Sequence, residues 1–452
     1  MAIPDGVLDL LVAECLVHPE AYAELGWLCD NVGGRTSGAE SGNRAEEWAK
    51  RYFAKWGLEN VRFEDVPVTA WTRGSIDVRA TGPVPWQMIA LAHGNAPCNA
   101  DVSAPIIDVG HGDRSDYEPA KDEVKGKLAL CDEGCAEGKR ALHRSEKLTL
   151  AIEYGAAGLM ILSSATGGLP RTGICHHTES PIPSLGISNE DGERLKRLLK
   201  QGVVTTVSVR MSNSIGPATA HNVIADLRGT EKPGEVVLAG GHLDSWDVAQ
   251  GATDNGLGSA IVLEMARALA KAPRPRRTLR FALWAAEETG LYGSTTYTKV
   301  HTDELDDIAA VMNFDMTGDP FGYWTAGRKE PSALLREMAK KLAGLGMREE
   351  FAYKAGLHSD HQPFMLEGVP IVALMARLEG QGGHYYHAVG DTFEKVSQPG
   401  LCRAAAVGAA TMWALANAPD RTYARFTSAE VDAMVDEADL RDALSMAGWW
   451  KK

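Results

Sequence analysis

Apolar positions recur along the chain with two different periods, and the changes of period divide it. "NRAEEWAKRYFAKW" (43–56) places Trp48, Tyr52, Phe53 and Trp56 on one helical face, with Gly57 as a C-terminal stop. "LENVRFEDVPV" then reads as a strand. Between about 72 and 216, short β-rich runs ("WQMIALAHG", "APIIDVG", "GKLALCD", "GLMILSS", "VVTTVSVRM") alternate with Gly, Pro and Asp turns. Helical stretches near 143–154 and 190–200 interrupt them. This texture predicts a compact β-rich insertion, with "SNSIGPATAHN" (212–222) as its return linker.

From 222 an α/β rhythm sets in. "EVVLAGG" (235–241), "TLRFALWAA" (278–286), "IAAVMNFD" (308–315) and "VPIVALM" (369–375) read as strands. Helices are expected over 255–272 and near 331–343 and 402–416. The pattern predicts an α/β fold: a mostly parallel mixed sheet flanked by helices, built discontinuously from residues 1–71 and 217–452, with 72–216 inserted.

Charge changes the picture in one respect. Sixty acidic residues face 46 basic ones, a formal charge of −14, which argues against nucleic acid or an anionic membrane as partner. No run of about 18 apolar residues offers a bilayer span. The N-terminus lacks a basic segment leading into an apolar one, so the chain as given is expected in the cytoplasm, or secreted or periplasmic had a signal been removed. Seven scattered cysteines read as free thiols.

The chemistry gathers at strand ends. His242 follows "VVLAGG", Glu287 and Glu288 follow "RFALWAA", Asp315 ends "AVMNF", and His387 lies in "HYYHAVGDT" beyond "IVALM". Open α/β sheets bind ligands at that edge. Imidazole nitrogens and carboxylate oxygens are good ligands for zinc and similar ions. A carboxylate has two oxygens and can bridge two ions, so Asp254 in "GATDNG" is the natural bridge. His242 and Asp315 could complete one ion, with Glu288 and His387 on the other. Glu287 is then left as general base toward a water whose pKa the metals lower. Singly, each residue has a commoner role: Asp254 as a helix cap, the Glu pair as a solvated surface, Asp315 as a strand-end turn residue. Their recurrence in order after consecutive strands is what argues for a site. Asp247 has no such role.

"GHLDSWDVAQGATDN", "WAAEETGLYGS", "NFDMTG", "HSDHQPF" and "YYHAVGDT" resemble the signature blocks of the co-catalytic zinc exopeptidases, of the aminopeptidase and glutamate carboxypeptidase type. The resemblance implies two zinc ions on His242, Asp254, Glu288, Asp315 and His387, with Glu287 as catalytic base. It implies supporting roles for Asp244, which orients His242, and for Asp360 and Asp391. It also implies a non-proline cis peptide after Asp254, and Tyr353 or His358 as an oxyanion or substrate contact. The insertion would be a protease-associated domain that shapes or covers the site. A homodimer acting on short peptides or amino-acid amides is expected. Hydrolysis of a non-peptide amide, a one-zinc glutaminyl cyclase and a non-catalytic binding protein are competing readings. Retention of all five ligand types and Glu287 weighs against the last two.

Overall fold

The computed structural model describes residues 3–378 and 382–450. Its centre is three parallel strands, Ile308–Asn313, Lys232–His242 and Arg277–Trp284, in that spatial order. Residues along these strands are buried on both faces, which is why they read as continuous apolar runs. Val237 and Ala239 face one core, shared with the helices Leu257–Lys271 and Gln398–Asn417. Val236 and Leu238 face the other, with Trp284, Tyr297 and Phe364. The helix Gln398–Asn417 comes close because its buried face is built from small residues. A Cβ at Gly408 would lie 2.6 Å from the Met265 sulfur and 2.9 Å from the Phe314 ring.

The strand expected at 369–375 forms at Ala373–Arg377 and joins a separate three-stranded sheet with Asp319–Trp324 and Phe351–Ala352. The segment just before this strand touches the central sheet through a bridge between Ile371 and Val311: Val311 N donates to the Pro370 carbonyl (2.8 Å), and Val372 N donates to the Val311 carbonyl (2.9 Å).

The segment 212–222 is not a linker. It is the middle of a 22-residue strand, Thr206–Leu227, which pairs antiparallel with the equally long Glu59–Ala80. One end of Thr206–Leu227 pairs with Arg277–Trp284 and the other with Asn99–Asp108, so both units share one eleven-stranded sheet. "SNSIGPATAHN" looked like a linker because this ribbon is partly exposed and needs few large apolar residues.

The insertion is β-rich as expected, but part of it continues the α/β alternation. Its strands Asn99–Asp108, Leu128–Asp132, Gly158–Leu162 and Ser184–Ile187 are parallel neighbours; the helix Arg144–Glu153 connects the second to the third, and Asn189–Lys200 follows the fourth. "LALC" and "GLMIL" are fully buried, the mark of parallel strands covered on both faces. Among the described residues no helix is long and apolar enough to cross a membrane, and every cysteine is free.

The two units are also joined where the loop after His242 meets the insertion. Trp246, 5% exposed, belongs to the insertion's apolar core alongside Trp71, Ala92 and Ala96. Its ring passes so close to Gly94 that a Cβ there would lie 2.3 Å from it. Gly94→Ala should therefore overpack this joint and destabilise the protein by about 1–3 kcal/mol, read as a lowered midpoint in urea unfolding.

Candidate metal centre

Strand register brings the candidate residues together. His242 pairs opposite Trp284, and Gly240 opposite Asn313. Residues a few positions beyond each strand therefore emerge at one edge. There the donor atoms of His242, Asp254 and Asp315 lie within 4.8 Å of one another, as do those of Asp254, Glu288 and His387. The two groups share Asp254, one oxygen each. Its Oδ1 is 3.3 Å from His242 Nε2, and its Oδ2 is 3.1 Å from His387 Nε2. Asp315 Oδ1 lies 3.5 Å from His242 Nε2, and Glu288 Oε2 lies 3.1 Å from His387 Nε2. Glu288 Oε1 is buried with no hydrogen-bond partner among the described residues. Two nitrogen-and-oxygen donor sets with a carboxylate between them fit a pair of zinc-like ions.

Glu287 belongs to neither set. Its carboxylate is 4.0 Å from His242 Nε2 and opens into the adjoining cleft. Burial pushes its carboxyl well above the ordinary value; Asp315 and Glu288 add to this and His242 opposes it. A carboxylate with raised proton affinity suits a group that takes up and returns a proton. Burial would lower His387, but the Glu288 and Asp254 carboxylates outweigh it and raise the imidazole to about 9. An ion entering the site would have to displace that proton.

The centre opens on a cleft of about 460 Å³ between the two units. The insertion contributes His143, Arg144, Ile174, His176 and His177; the other unit contributes Trp324, Leu357, His358, Tyr386 and the C-terminal segment. His358 stacks on His143 across the gap, with ring centroids 4.4 Å apart. Tyr353 is not in the cleft: it is 44% exposed and lines a separate cavity with Met434 and Glu437.

Two family models match the chain, "Peptidase family M28" over residues 222–412 and "PA domain" over 94–195. Bovine (Bos taurus) carboxypeptidase Q is 31% identical over 408 residues, which cover 88% of this chain and 85% of that protein. The chain belongs to peptidase family M28. It is a metallopeptidase, with a PA domain inserted in the peptidase unit. A probable leucine aminopeptidase 2 from Arthroderma benhamiae is 30% identical over 288 residues, 63% of this chain and 55% of that protein. The crystal structure of a peptidase M28 precursor from Shewanella amazonensis SB2B has a TM-score of 0.82 and 28% identity. It covers 93% of this chain and 98% of its own.

In this M28 peptidase the supporting acids mostly grip backbone. The Asp244 carboxylate accepts the N–H groups of Glu287 (3.1 Å) and Glu288 (3.3 Å), and so aligns the acidic pair. His242 Nδ1 lies 3.0 Å from the Asp244 carbonyl and 3.6 Å from its carboxylate. Asp391 accepts the N–H groups of Thr253 (2.8 Å) and Asp254 (3.1 Å), fixing the turn that carries the shared carboxylate. The peptide between Asp254 and Asn255 is cis. Asp360 is 1% exposed, and burial pushes its carboxyl up to about 7. Ala286, Leu291, Met316 and His387, all beside the centre, have φ between 47° and 60°, a left-handed backbone that costs non-glycine residues stability.

Several positioning residues carry no sequence signal. Ser359 Oγ donates to Asp315 Oδ2 (2.6 Å) and accepts from Asn313 Nδ2 (2.7 Å). Arg35, fully buried, donates to the carbonyls of Gly33, Leu243, Gln250 and Gly251, tying down the loop between His242 and Asp254. Asp247, without a role in the sequence, forms an ion pair with Arg73 at 2.9 Å. Arg73 in turn donates to Thr172 Oγ1 (3.0 Å). Thr172 brackets His387: its N–H donates to the His387 carbonyl (2.9 Å), and its carbonyl lies 3.2 Å from His387 Nδ1. With Nε2 bound to an ion beside Asp254, Nδ1 would keep its hydrogen and donate it to that carbonyl. The insertion thus orients a metal-type ligand of the other unit.

Asn255 ties the two halves of the centre together. Its amide donates to the Phe314 carbonyl (2.8 Å), and its oxygen accepts from Gly258 N (3.0 Å) and Met316 N (3.1 Å). Asn255→Asp removes the donor and sets a charge against the Phe314 carbonyl. Metal affinity should fall about 10–100-fold, measured by competition with a chromophoric chelator.

Proposed function

We propose that this M28 peptidase is a di-zinc exopeptidase that hydrolyses short peptides with a free C-terminus. The observation that carries the reading is the split of the Asp254 carboxylate between two His-containing donor sets, with Glu287 beside them and in neither. One zinc would be held by His242, Asp254 and Asp315, the other by Asp254, Glu288 and His387. Bound there, the pair would polarise the scissile carbonyl and lower the pKa of a water.

The chain's own residues carry the proton. Glu287 accepts a proton from the attacking water as the new C–O bond forms, and donates it to the amine nitrogen as the C–N bond breaks. Asp244 holds the Glu287 backbone so that this carboxylate stays directed at the cleft. No covalent link to the protein is needed.

Arg144 supports the C-terminal orientation. Its guanidinium lies at the cleft, 3.3 Å from His387 Nδ1 and 3.2 Å from His143 Nε2, and no carboxylate pairs with it among the described residues. An unpaired cation beside the reacting centre suits a substrate carboxylate. An aminopeptidase is the second reading, favoured by the four carboxylates of the centre as partners for a free amine.

Glu287→Gln should lower kcat by at least about 100-fold while elemental analysis still finds two equivalents of zinc. Retained turnover would overturn the base assignment, and fewer than two ions in the unsubstituted protein would overturn the di-zinc reading. Arg144→Gln should raise KM for dipeptides with a free carboxylate and leave C-amidated dipeptides unaffected. Equal effects on both sets would favour the aminopeptidase reading.

A further inference from the structure

One wall of the cleft is built by residues with no part in holding metal or moving protons. The last described helix, Arg441–Met446, packs against the insertion's helix Arg144–Glu153. The chain then turns at Gly448, whose φ of 73° suits glycine, and folds back so that Trp449 N donates to the Leu444 carbonyl (2.8 Å). Arg441 stacks on Trp450 at 5.0 Å and steadies the turn. Ala443, Leu444, Ala447 and Trp449 all line the cleft. Leu444 is fully buried, whereas Trp449 is half-buried.

This wall continues into the peptidase unit. Trp324 and Leu357 also line the cleft, and with Leu444 and Trp449 they belong to one apolar cluster. Trp324, Leu357 and Trp449, each partly exposed, present apolar surface inside a cleft whose floor is charged, and the buried Leu444 belongs to the same cluster. Such a face leaves water in poor contact and is best covered by hydrocarbon.

We propose that Trp449, Trp324 and Leu357, with the buried Leu444 packed in the same cluster, form a side-chain subsite for a large apolar residue of the substrate. The C-terminal segment is then a specificity element, not merely a trailing helix. The inference rests on the reading of the cleft as a peptide-hydrolysing site, but the face itself needs only a ligand anchored at the centre. A hydrocarbon side chain covered by such a face gains roughly 10–200-fold over one lacking it.

Two measurements on the zinc-loaded protein test this. The first is kcat/KM for free dipeptides in which each position is in turn Gly, Ala, Leu or Phe. The second is calorimetric binding of leucine hydroxamate and glycine hydroxamate, which requires no hydrolysis. At one dipeptide position, Leu and Phe should exceed Gly by at least about tenfold, and the leucine hydroxamate should bind tighter by a similar factor. Trp449→Ala and Leu357→Ala should each collapse that ratio, and Trp449→Phe should restore most of it. Two partly exposed positions are used so that a folding failure of one leaves the other to decide. Turnover with no apolar preference at either position overturns the subsite, as does an undiminished ratio in a folded Trp449→Ala or Leu357→Ala variant. Absence of dipeptide turnover together with the hydroxamate order, lost in Trp449→Ala, keeps the subsite and overturns the peptidase reading.

Discussion

Crowded negative charge governs this structure. Asp254, Glu287, Glu288 and Asp315 converge with two imidazoles at one sheet edge, and Asp244, Asp360 and Asp391 stand immediately behind them. Left to themselves, carboxylates this close would move apart or take up protons; burial first, and the neighbouring carboxylates after it, raise Glu287 and Asp360 in that direction. The fold prevents the first response by gripping backbone: Asp244 on Glu287–Glu288, Asp391 on Thr253–Asp254, Arg35 on the loop between His242 and Asp254. Cations relieve the second. A site preorganised in this way exerts its charge before any substrate arrives.

The insertion is part of that restraint. Trp246 from the metal loop is buried in the insertion's core, and Asp247 beside it grips Arg73. Arg73 reaches Thr172, and Thr172 brackets His387. The loop carrying His242 and the imidazole of His387 are therefore tied through the same few residues of the inserted unit.

Local periodicity and strand-end chemistry made the parallel strands, their helices and the converging residues legible. Strand ends in a parallel sheet share an edge, so sequence order alone placed His242, Glu288 and Asp315 near one another. What escaped notice depends on contacts between distant segments. Arg35 lies more than two hundred residues from the carbonyls of Leu243, Gln250 and Gly251. Thr172 reaches His387 from the other unit, and neither residue type advertises that role. Tyr353 shows the opposite error: proximity in sequence to "HSDH" did not bring it to the cleft, because the two-residue strand Phe351–Ala352 turns its side chain to another surface. The long ribbon read as a linker because its outward positions are polar and its inward ones small.

That ribbon also says how the inserted unit relates to the rest. Thr72 and Ser214 face each other across it, and pairing continues on both sides of them, with one register shift toward each end. Entry and exit of 145 or so residues thus occur at adjacent rungs of one ladder. Viewed from the peptidase sheet, the insertion is an overgrown hairpin tip: a β-turn at that rung would close the ladder without moving either strand. Such an arrangement lets a whole module be gained or lost by a local event at a loop, the cheapest place in a fold to change length. Here the module is not a separable addition, since Trp246 packs in its core and Thr172 brackets His387.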